Sequence, residues 1–366
     1  MKPSAMFDLP IRHKPWRPSH LRWVMQDLAG VARQPEQDHR THLRGTLEWV
    51  CRAQDACRNT SSGSVAAGWT FESGWLPASP EATGWLIETL LPAADYLAWP
   101  QLADRARSML DTLLAQPDEG LAGRIHGLIA GHAQLGRGDC LARAVSSAHL
   151  LAAMPLVPPL QQARAAHALA SAGAVSGDAD LLAASRRFLQ ATLAQRTPCG
   201  WFQEAALPVP TAVLAGILRS LIESARLLDD ADARRAALVT AQGLRGHLRG
   251  DGRLAGAFDD GWMPAASHVC VTGLVQLAGC WLRLAQLHQD PVWREPAWSA
   301  LAWIKRSQRT TGNVSALRDA LPNTVPIWAE PDAFTFATLN AKYFADALMM
   351  DMVGLAIPPE VHERNL

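Results

Sequence analysis

The chain has 366 residues, of which 49% are hydrophobic and 19% charged, so it can bury a large core. Its 34 basic and 34 acidic residues balance, which disfavours nucleic acid or an anionic membrane as a partner. Prolines interrupt the longest apolar run, LLAAMPLVPPL, and the basic N-terminus lacks a secretory core and cleavage site, so we expect a cytoplasmic protein without a transmembrane segment.

Six pairs of predicted helices follow one another along the chain. In each pair a charged, amphipathic helix is followed by a loop rich in Gly, Pro or Trp and then by a helix of small and apolar residues. The first helices are predicted to begin near Glu36, Pro100, Gly138, Asp178, Asp230 and Asp290. The second helices are predicted to begin near Ala82, Gly123, Gln162, Thr211, His268 and Phe336.

This alternation predicts an all-α fold, an (α/α)6 toroid of six outer–inner helical hairpins. Helices that are apolar on nearly all faces are typical of an inner ring that is covered on every side, whereas the charged helices keep one face in water. An open solenoid would not need such apolar inner helices. We therefore assign residues 36–366 to a single toroid domain and residues 1–35 to an N-terminal extension that packs on the ring.

Tryptophan marks the loops that lead from outer to inner helices. These loops emerge at one end of a toroid, where we expect the cavity mouth and the functional residues. An indole ring offers a flat apolar face and one N–H donor, which suits a sugar ring and predicts a glycan partner. The alternative is that each ring fills space between a loop and its helices. The tryptophans concerned are Trp69, Trp75, Trp201, Trp262 and Trp328.

Carboxylates occupy the same loops. Cleavage of a glycosidic bond needs one protonated and one ionised carboxyl group, which facing loops can supply. Glu81 has an alternative role, because Ser79-Pro80-Glu81 is also typical of a capped helix start. Asp259 and Asp260 could instead form an Asx turn. The candidates are Glu72, Glu81, Glu204, Asp259, Asp260, Glu330 and Asp332.

The last inner helix is the most polar one. Lys342 and Asp346 are spaced to pair along the helix, while Asn340 and Tyr343 can share a face. Tyr343 with His268 could abstract a proton from a uronic acid, although a histidine at a helix start also serves as a capping or packing residue.

Three further polar residues lie on other inner helices, and each has either a functional role or a purely structural one. Glu88 is either a cavity residue or the polar spot on a buried helix, and His126 and His167 are treated alike. The six cysteines show no metal-ligand spacing and are interpreted as reduced core residues, so neither a metal nor a cofactor is predicted.

Three stretches carry a resemblance to a known family: GWLPASPEATGWLIETLL, DDGWMPAASHVCVTGLVQLAGCWLRL and PIWAEPDAFTFATLNAKYFADALMM. They resemble segments of bacterial six-hairpin toroid proteins found with genes for extracellular polysaccharide and O-antigen synthesis, which are distantly similar to squalene-cyclase-type and glycan-active toroids. The resemblance covers most of the chain from about residue 40 onward and implies the toroid fold.

The chain departs from this family at two motifs. Where relatives read Tyr-Pro-Glu-Thr-Thr-Gly and Asn-Trp-Ala-Ala-Lys, this chain reads SPEATG and TLNAK. Glu81 and Lys342 keep their residue types, whereas aromatic positions of the pocket are lost.

These features together predict a carbohydrate-active enzyme on a bacterial polysaccharide or lipid-linked oligosaccharide. It would be a glycoside hydrolase that uses two loop carboxylates, or a lyase or epimerase that uses Tyr343 and His268. A non-catalytic glycan-binding or assembly factor would use the same tryptophans and no carboxylate pair. A terpenoid cyclase is disfavoured, because the chain lacks Asp-x-Asp-Asp and DDxxD motifs.

Overall fold

The computed structural model describes residues 16–30, 36–155, 158–202, 207–311 and 314–353. Within these ranges the chain forms one N-terminal helix, α1 (Pro18–Ala29), followed by six helical hairpins. The outer helices are α2 (His39–Asp55), α4 (Pro100–Ala115), α6 (Gly138–Ala152), α8 (Ala179–Leu193), α10 (Ala231–Gly246) and α12 (Arg294–Ser307). The inner helices are α3 (Pro80–Tyr96), α5 (Leu121–Leu135), α7 (Pro159–Ser176), α9 (Thr211–Leu227), α11 (Val271–His288) and α13 (Thr338–Val353).

The inner helices close into a ring, which confirms the predicted (α/α)6 toroid. Each inner helix packs against the next along the chain, and α13 packs back on α3. Aspartate caps begin several outer helices: Asp38, Asp178 and Asp230 each accept a hydrogen bond from a backbone N–H of the first turn. The predicted helix starts therefore lie close to the observed ones.

The loops at the N-terminal end of the inner helices form small antiparallel sheets, which the sequence analysis did not predict. Strands of two or three residues pair between loops of different hairpins, and none of them enters the helical core. One sheet joins β1 (Gly68–Thr70) to β2 (Gly74–Trp75) and β8 (Thr335–Ala337), linking the first hairpin to the last. In the second sheet β4 (Ala257–Asp259) is central and pairs with β3 (Val209–Pro210) and with β5 (Met263–Pro264). In the third, β6 (Val269–Cys270) pairs with β7 (Thr324–Val325).

Helix α1 packs on the loop that precedes α13. The Trp23 side chain is buried, and the Asp27 carboxylate accepts hydrogen bonds from the Arg309 guanidinium and from the Ile327 backbone N–H (2.6 Å). Residues 1–15 and 31–35 of the predicted extension lie outside the described residues.

Two further findings concern membrane-spanning segments and cysteines. Within the described ranges, no helix combines the length and apolarity that crossing a membrane requires. Five of the six cysteines are buried as predicted, but Cys199 is exposed.

Glycines set the distance between the first two inner helices. A Cβ atom on Gly84 of α3 would lie 2.1 Å from the carbonyl oxygen of Gly123 on α5, and one on Gly127 would lie 2.6 Å from the carbonyl oxygen of Gly84. The two backbones are therefore in direct contact, which brings the side chains beside these glycines close to the ring axis.

We predict that Gly84→Ala lowers the free energy of unfolding by about 1–3 kcal/mol, because the added methyl group pushes two backbones apart. Gly279→Ala is the matched control, since Gly279 also lies inside an inner helix but a Cβ there meets no atom within 4 Å. Urea unfolding of both variants checks this. Equal stability of the two variants would contradict the close approach of α3 and α5.

Candidate active site

The loop tryptophans do not form the single cleft expected from the sequence. Trp201 and Trp262 are buried, their ring centroids lie 5.3 Å apart, and the Trp262 indole N–H donates to the Cys199 carbonyl (2.9 Å). Half-buried Trp69 and Trp75 face each other across β1 and β2. Trp328 lines a separate groove beside α1. Trp201 and Trp262 thus occupy the packing position that was the alternative for each ring.

Most loop carboxylates are exposed on the surface at this end. Glu72, Asp259, Asp260, Glu330 and Asp332 are exposed, and Glu204 lies outside the described residues. Glu81 accepts from the Arg164 guanidinium (3.1 Å) in a partly exposed ion pair. Ser79 caps the same helix by accepting from the Ala82 N–H (3.1 Å). His268 is half-buried, and Asp332 is its electrostatic partner.

A second group of polar residues, which we call the axial cluster, lies inside the ring. It comprises Trp85, Glu88, His126, His167, Arg219, Glu223, Arg283, Lys342, Tyr343 and Asp346, and every inner helix contributes at least one member. The Arg219 guanidinium lies 4.3 Å from the ring centroid of Trp85. Arg219 is on α9 and Trp85 on α3, which are opposite one another in the ring. Their contact therefore places the cluster on the ring axis.

Lys342 is shared by two carboxylates. Its ammonium group lies 3.5 Å from Glu88 Oε2 and donates a hydrogen bond to Asp346 Oδ2. Burial would raise the pKa of Glu88, but the His126 ring and the Lys342 ammonium hold that pKa below its usual value. For Asp346 burial prevails and raises the pKa, although Lys342 and Thr89 (2.6 Å to Oδ1) donate hydrogen bonds to it. The two carboxyl groups thus differ in their affinity for a proton.

The two histidines of the axial cluster are neutral. His126 stacks on Trp85 with ring centroids 4.3 Å apart, and His167 lies 4.3 Å beyond His126. Burial lowers the pKa of both imidazoles, and nearby cations add to the effect at His167. His126 Nδ1 lies 3.1 Å from Glu88 Oε1, so the neutral ring donates to that carboxylate. Lys342 is therefore the cation that forms an ion pair with Glu88.

Glu223 is held by two arginines. Arg283 donates from Nε (2.7 Å) and Nη2 (3.2 Å), and Arg226 donates from Nε (3.1 Å). Burial opposes ionisation of Glu223, but the two guanidinium groups outweigh it and lower the pKa. Glu223 therefore stays ionised at neutral pH.

A narrow cavity runs between α9, α11 and α13 along this cluster. Its polar wall consists of Arg219, Glu223, Gln276, Arg283, Tyr343 and Asp346. Its accessible volume is about 40 Å³, enough for a few water molecules. The lining residues belong to the middle and C-terminal turns of the inner helices. The cavity is thus not lined by the tryptophan-bearing loops, contrary to the sequence-based expectation.

Two polar groups on this wall are not matched by protein partners. Within the described ranges, no hydrogen bond or ion pair holds the Arg219 guanidinium, which lies over the rings of Trp85 (4.3 Å) and Tyr343 (5.2 Å). Gln276 Nε2 donates to the Thr272 carbonyl (3.1 Å), whereas the buried Oε1 has no donor. Both groups are available to a ligand.

Sequence reasoning found part of this site. Tyr343 lines the cavity, and Lys342 pairs with Asp346 as the spacing predicted. Asn340 is instead tied to the preceding loop, because its amide donates to Asn323 Oδ1 (2.8 Å). Arg219, Glu223 and Arg283 were missed as site residues. Their one sequence signal is that ionised side chains interrupt otherwise apolar inner helices.

Solved structures with the same fold include several glycan-active enzymes. An unsaturated glucuronyl hydrolase from Bacillus sp. GL1 matches with a TM-score of 0.68 at 11% identity, over 85% of this chain and 97% of that one. A cellobiose 2-epimerase from Bacillus thermoamylovorans matches with a TM-score of 0.65 at 10% identity, over 84% and 98%. A GH76 α-mannanase from Bacteroides thetaiotaomicron matches with a TM-score of 0.61 at 11% identity, over 86% and 95%. No family model and no curated protein matches the chain. At these identities the likeness establishes the toroid fold.

We predict that Lys342→Met lowers the free energy of unfolding at neutral pH by about 3–5 kcal/mol, because Glu88 and Asp346 lose their shared cation. A carboxyl group whose pKa is lowered by folding stabilises the folded state at pH values above its unfolded-state pKa. This stabilisation is lost as the pH falls through the folded-state pKa. Without Lys342 the pKa of Glu88 rises, so the variant's deficit should shrink in mild acid.

Lys305→Met is the matched control on an outer helix. Lys305 pairs with Glu36, whose side chain is 39% exposed and can be solvated when the cation is removed, so we expect a loss below about 1 kcal/mol. Urea unfolding at neutral and mildly acidic pH measures both variants. A deficit at Lys342 that does not change with pH would contradict this assignment of charges.

Proposed function

We propose that the protein is a carbohydrate-active enzyme that cleaves a glycosidic bond in the axial cavity, with Asp346 as the proton donor. The observation that carries this proposal is that two carboxyl groups on the wall of one cavity have pKa values shifted in opposite directions, upward for Asp346 and downward for Glu223. Such a pair is typical of enzymes that cleave glycosidic bonds. The glycan-active toroids of the same fold are consistent with it.

The proposed reaction assigns one role to each group. Protonated Asp346 donates its proton to the glycosidic oxygen as the bond from that oxygen to the sugar carbon breaks. Ionised Glu223 stabilises the positive charge that develops on the sugar ring. Water then adds to the sugar carbon, and the proton that it loses returns to Asp346. Because Glu223 and Asp346 are buried, these charges interact more strongly than they would in solvent.

The narrowness of the cavity limits what can enter. As it stands the cavity holds only a few water molecules, so entry of the end of a chain or of a single sugar residue requires wall side chains to move, and the unbranched side chain of Met350 on the wall can adopt other rotamers. The loop residues predicted from the sequence remain candidates for binding the rest of a longer glycan. They are Trp69, Trp75, Trp328, Glu72, Glu81, Asp259, Asp260, His268, Glu330 and Asp332, whereas Trp201 and Trp262 are buried in packing positions. A bacterial polysaccharide or lipid-linked oligosaccharide would be such a substrate.

A non-catalytic glycan-binding factor is the second candidate. One observation favours it: both oxygens of Glu223 already accept hydrogen bonds from arginines, which weakens this carboxylate as a base. A binding factor needs Arg219, Tyr343 and Gln276 but no proton donor, so the two candidates differ in their dependence on Asp346.

We predict that Asp346→Asn reduces turnover of a cleaved oligosaccharide by about a hundredfold to ten-thousandfold and leaves its binding nearly unchanged, because placed proton donors contribute that much. Turnover is measured as new reducing ends, and the ultraviolet absorbance of an unsaturated product separates elimination from hydrolysis. Glu81→Gln is the control at the loop end and should keep turnover. If Asp346→Asn keeps turnover and Glu81→Gln loses it, the reacting centre lies at the loops.

We further predict that turnover falls as the pH rises through the raised pKa of Asp346, since only the protonated acid can donate. Glu223 ionises at lower pH than Asp346, so it limits turnover only in acid. The pH profile of kcat/KM for the wild-type protein tests this. An alkaline limb that is unchanged in Asp346→Glu would contradict the assignment, because the longer acid must titrate at a different pH.

A further inference from the structure

We infer that the axial cavity selects a sugar that carries a carboxylate, a uronic acid residue, through Arg219 and Gln276. This inference rests on the proposed function and adds to it the substrate class and the residues that recognise it. Both residues lie on the cavity wall, where Arg219 offers a cation and Gln276 a hydrogen-bond acceptor.

Arg219 is the cation that remains after the other charges of the cavity are paired. Glu223 is held by Arg283 and Arg226, and Lys342 serves both Glu88 and Asp346. The guanidinium of Arg219 is half-buried in the cavity wall against two aromatic rings. No carboxylate of the described residues forms an ion pair or hydrogen bond with this guanidinium, and its charge acts on Glu88 only at longer range. The planar, two-oxygen carboxylate matches its fork of N–H donors.

Gln276 supplies the hydrogen-bond acceptor. Its side chain is 3% exposed and lines the cavity, and its amide orientation is fixed because Nε2 donates to the carbonyl one turn earlier. The unpaired Oε1 is then a buried acceptor, and a buried polar atom without a partner is unfavourable. A ligand hydroxyl group can satisfy it. An anion beside a hydroxyl donor describes a hydroxylated carboxylic acid of sugar size.

Tyr343 completes the subsite. It lies under Arg219 on the same wall and is 5% exposed. Because the guanidinium lies over its ring, Tyr343 holds Arg219 in position for a ligand carboxylate. A neutral sugar would leave the guanidinium without an anion, so the cavity favours the acidic sugar over its neutral counterparts.

The test compares three sugars of nearly equal size by titration calorimetry on the wild-type protein: D-glucuronate, D-glucuronamide and D-glucose. Glucuronamide keeps the shape and hydroxyl groups of the acid and loses its charge. We expect glucuronate to bind roughly ten- to hundredfold more tightly than either neutral sugar, because a charged hydrogen bond contributes that much. Equal binding of the acid and the amide overturns the inference.

Variants identify the groups responsible. Arg219→Met should abolish the preference for the acid, whereas Arg245→Met should keep it. Arg245 is the matched control because it also lies over an aromatic ring, that of Trp293 at 5.9 Å, but on an outer helix. Gln276→Met should weaken all three sugars alike, by roughly two- to tenfold, since it removes a neutral acceptor. If Arg219→Met retains the preference for the acid, Arg219 is not the recognition group.

The failure of this inference differs from failure of the proposed function. If neutral and acidic sugars bind alike and oligosaccharide turnover still depends on Asp346, the inference is overturned and the enzyme remains. If the acid is preferred through Arg219 but Asp346→Asn keeps full turnover, the recognition stands and the proton donor is wrong.

Discussion

The closed ring imposes one constraint on which the rest of the structure depends. A side chain on the inward face of an inner helix has little access to bulk water, so its polar groups must pair within that helix or with the other inner helices. Charged residues on these faces are therefore drawn into contact with one another. The contact between Arg219 and Trp85 is an example, because these residues belong to opposite helices and meet at the centre of the ring. The axial cluster is the result of that constraint.

The same constraint explains why neighbouring carboxyl groups behave differently. Burial disfavours the charged form of each one, so the outcome is decided by how many cations it can reach. Glu223 has two guanidinium groups, while Asp346 shares one ammonium group with Glu88. Glu88 also has the His126 ring and the longer-range charge of Arg219, and its pKa is lowered, whereas the pKa of Asp346 is raised. The difference between the two thus follows from the partners that the ring brings to each carboxyl group.

The architecture could be predicted from the sequence, because it is encoded in local signals. These are the alternation of amphipathic and apolar helices and the aspartates that cap helix starts. The inner site could not. An inner helix that is apolar on nearly every face has no preferred direction, so its sequence does not reveal which side faces the axis. Lys342 and Asp346 were paired correctly because both lie on one helix, whereas Glu88 and His126 meet only through packing. The loop strands were missed because two or three residues carry no periodicity.

Trp201 and Trp262 show the opposite error. Loop position and residue type suggested a sugar-binding rim, but a toroid must also close the gaps between its long loops and its outer helices. Trp262 fills such a gap, where a Cβ atom on Gly243 would come within 2.8 Å of its ring. Aromatic rings are used there because they exclude water over a large area while one N–H group remains able to pair. With Trp201 and Trp262 in the packing, the cluster of charged side chains lies instead at the middle turns of the inner helices. If the reaction takes place there, as we propose, the Arg219 guanidinium is the feature that most directly determines what can bind.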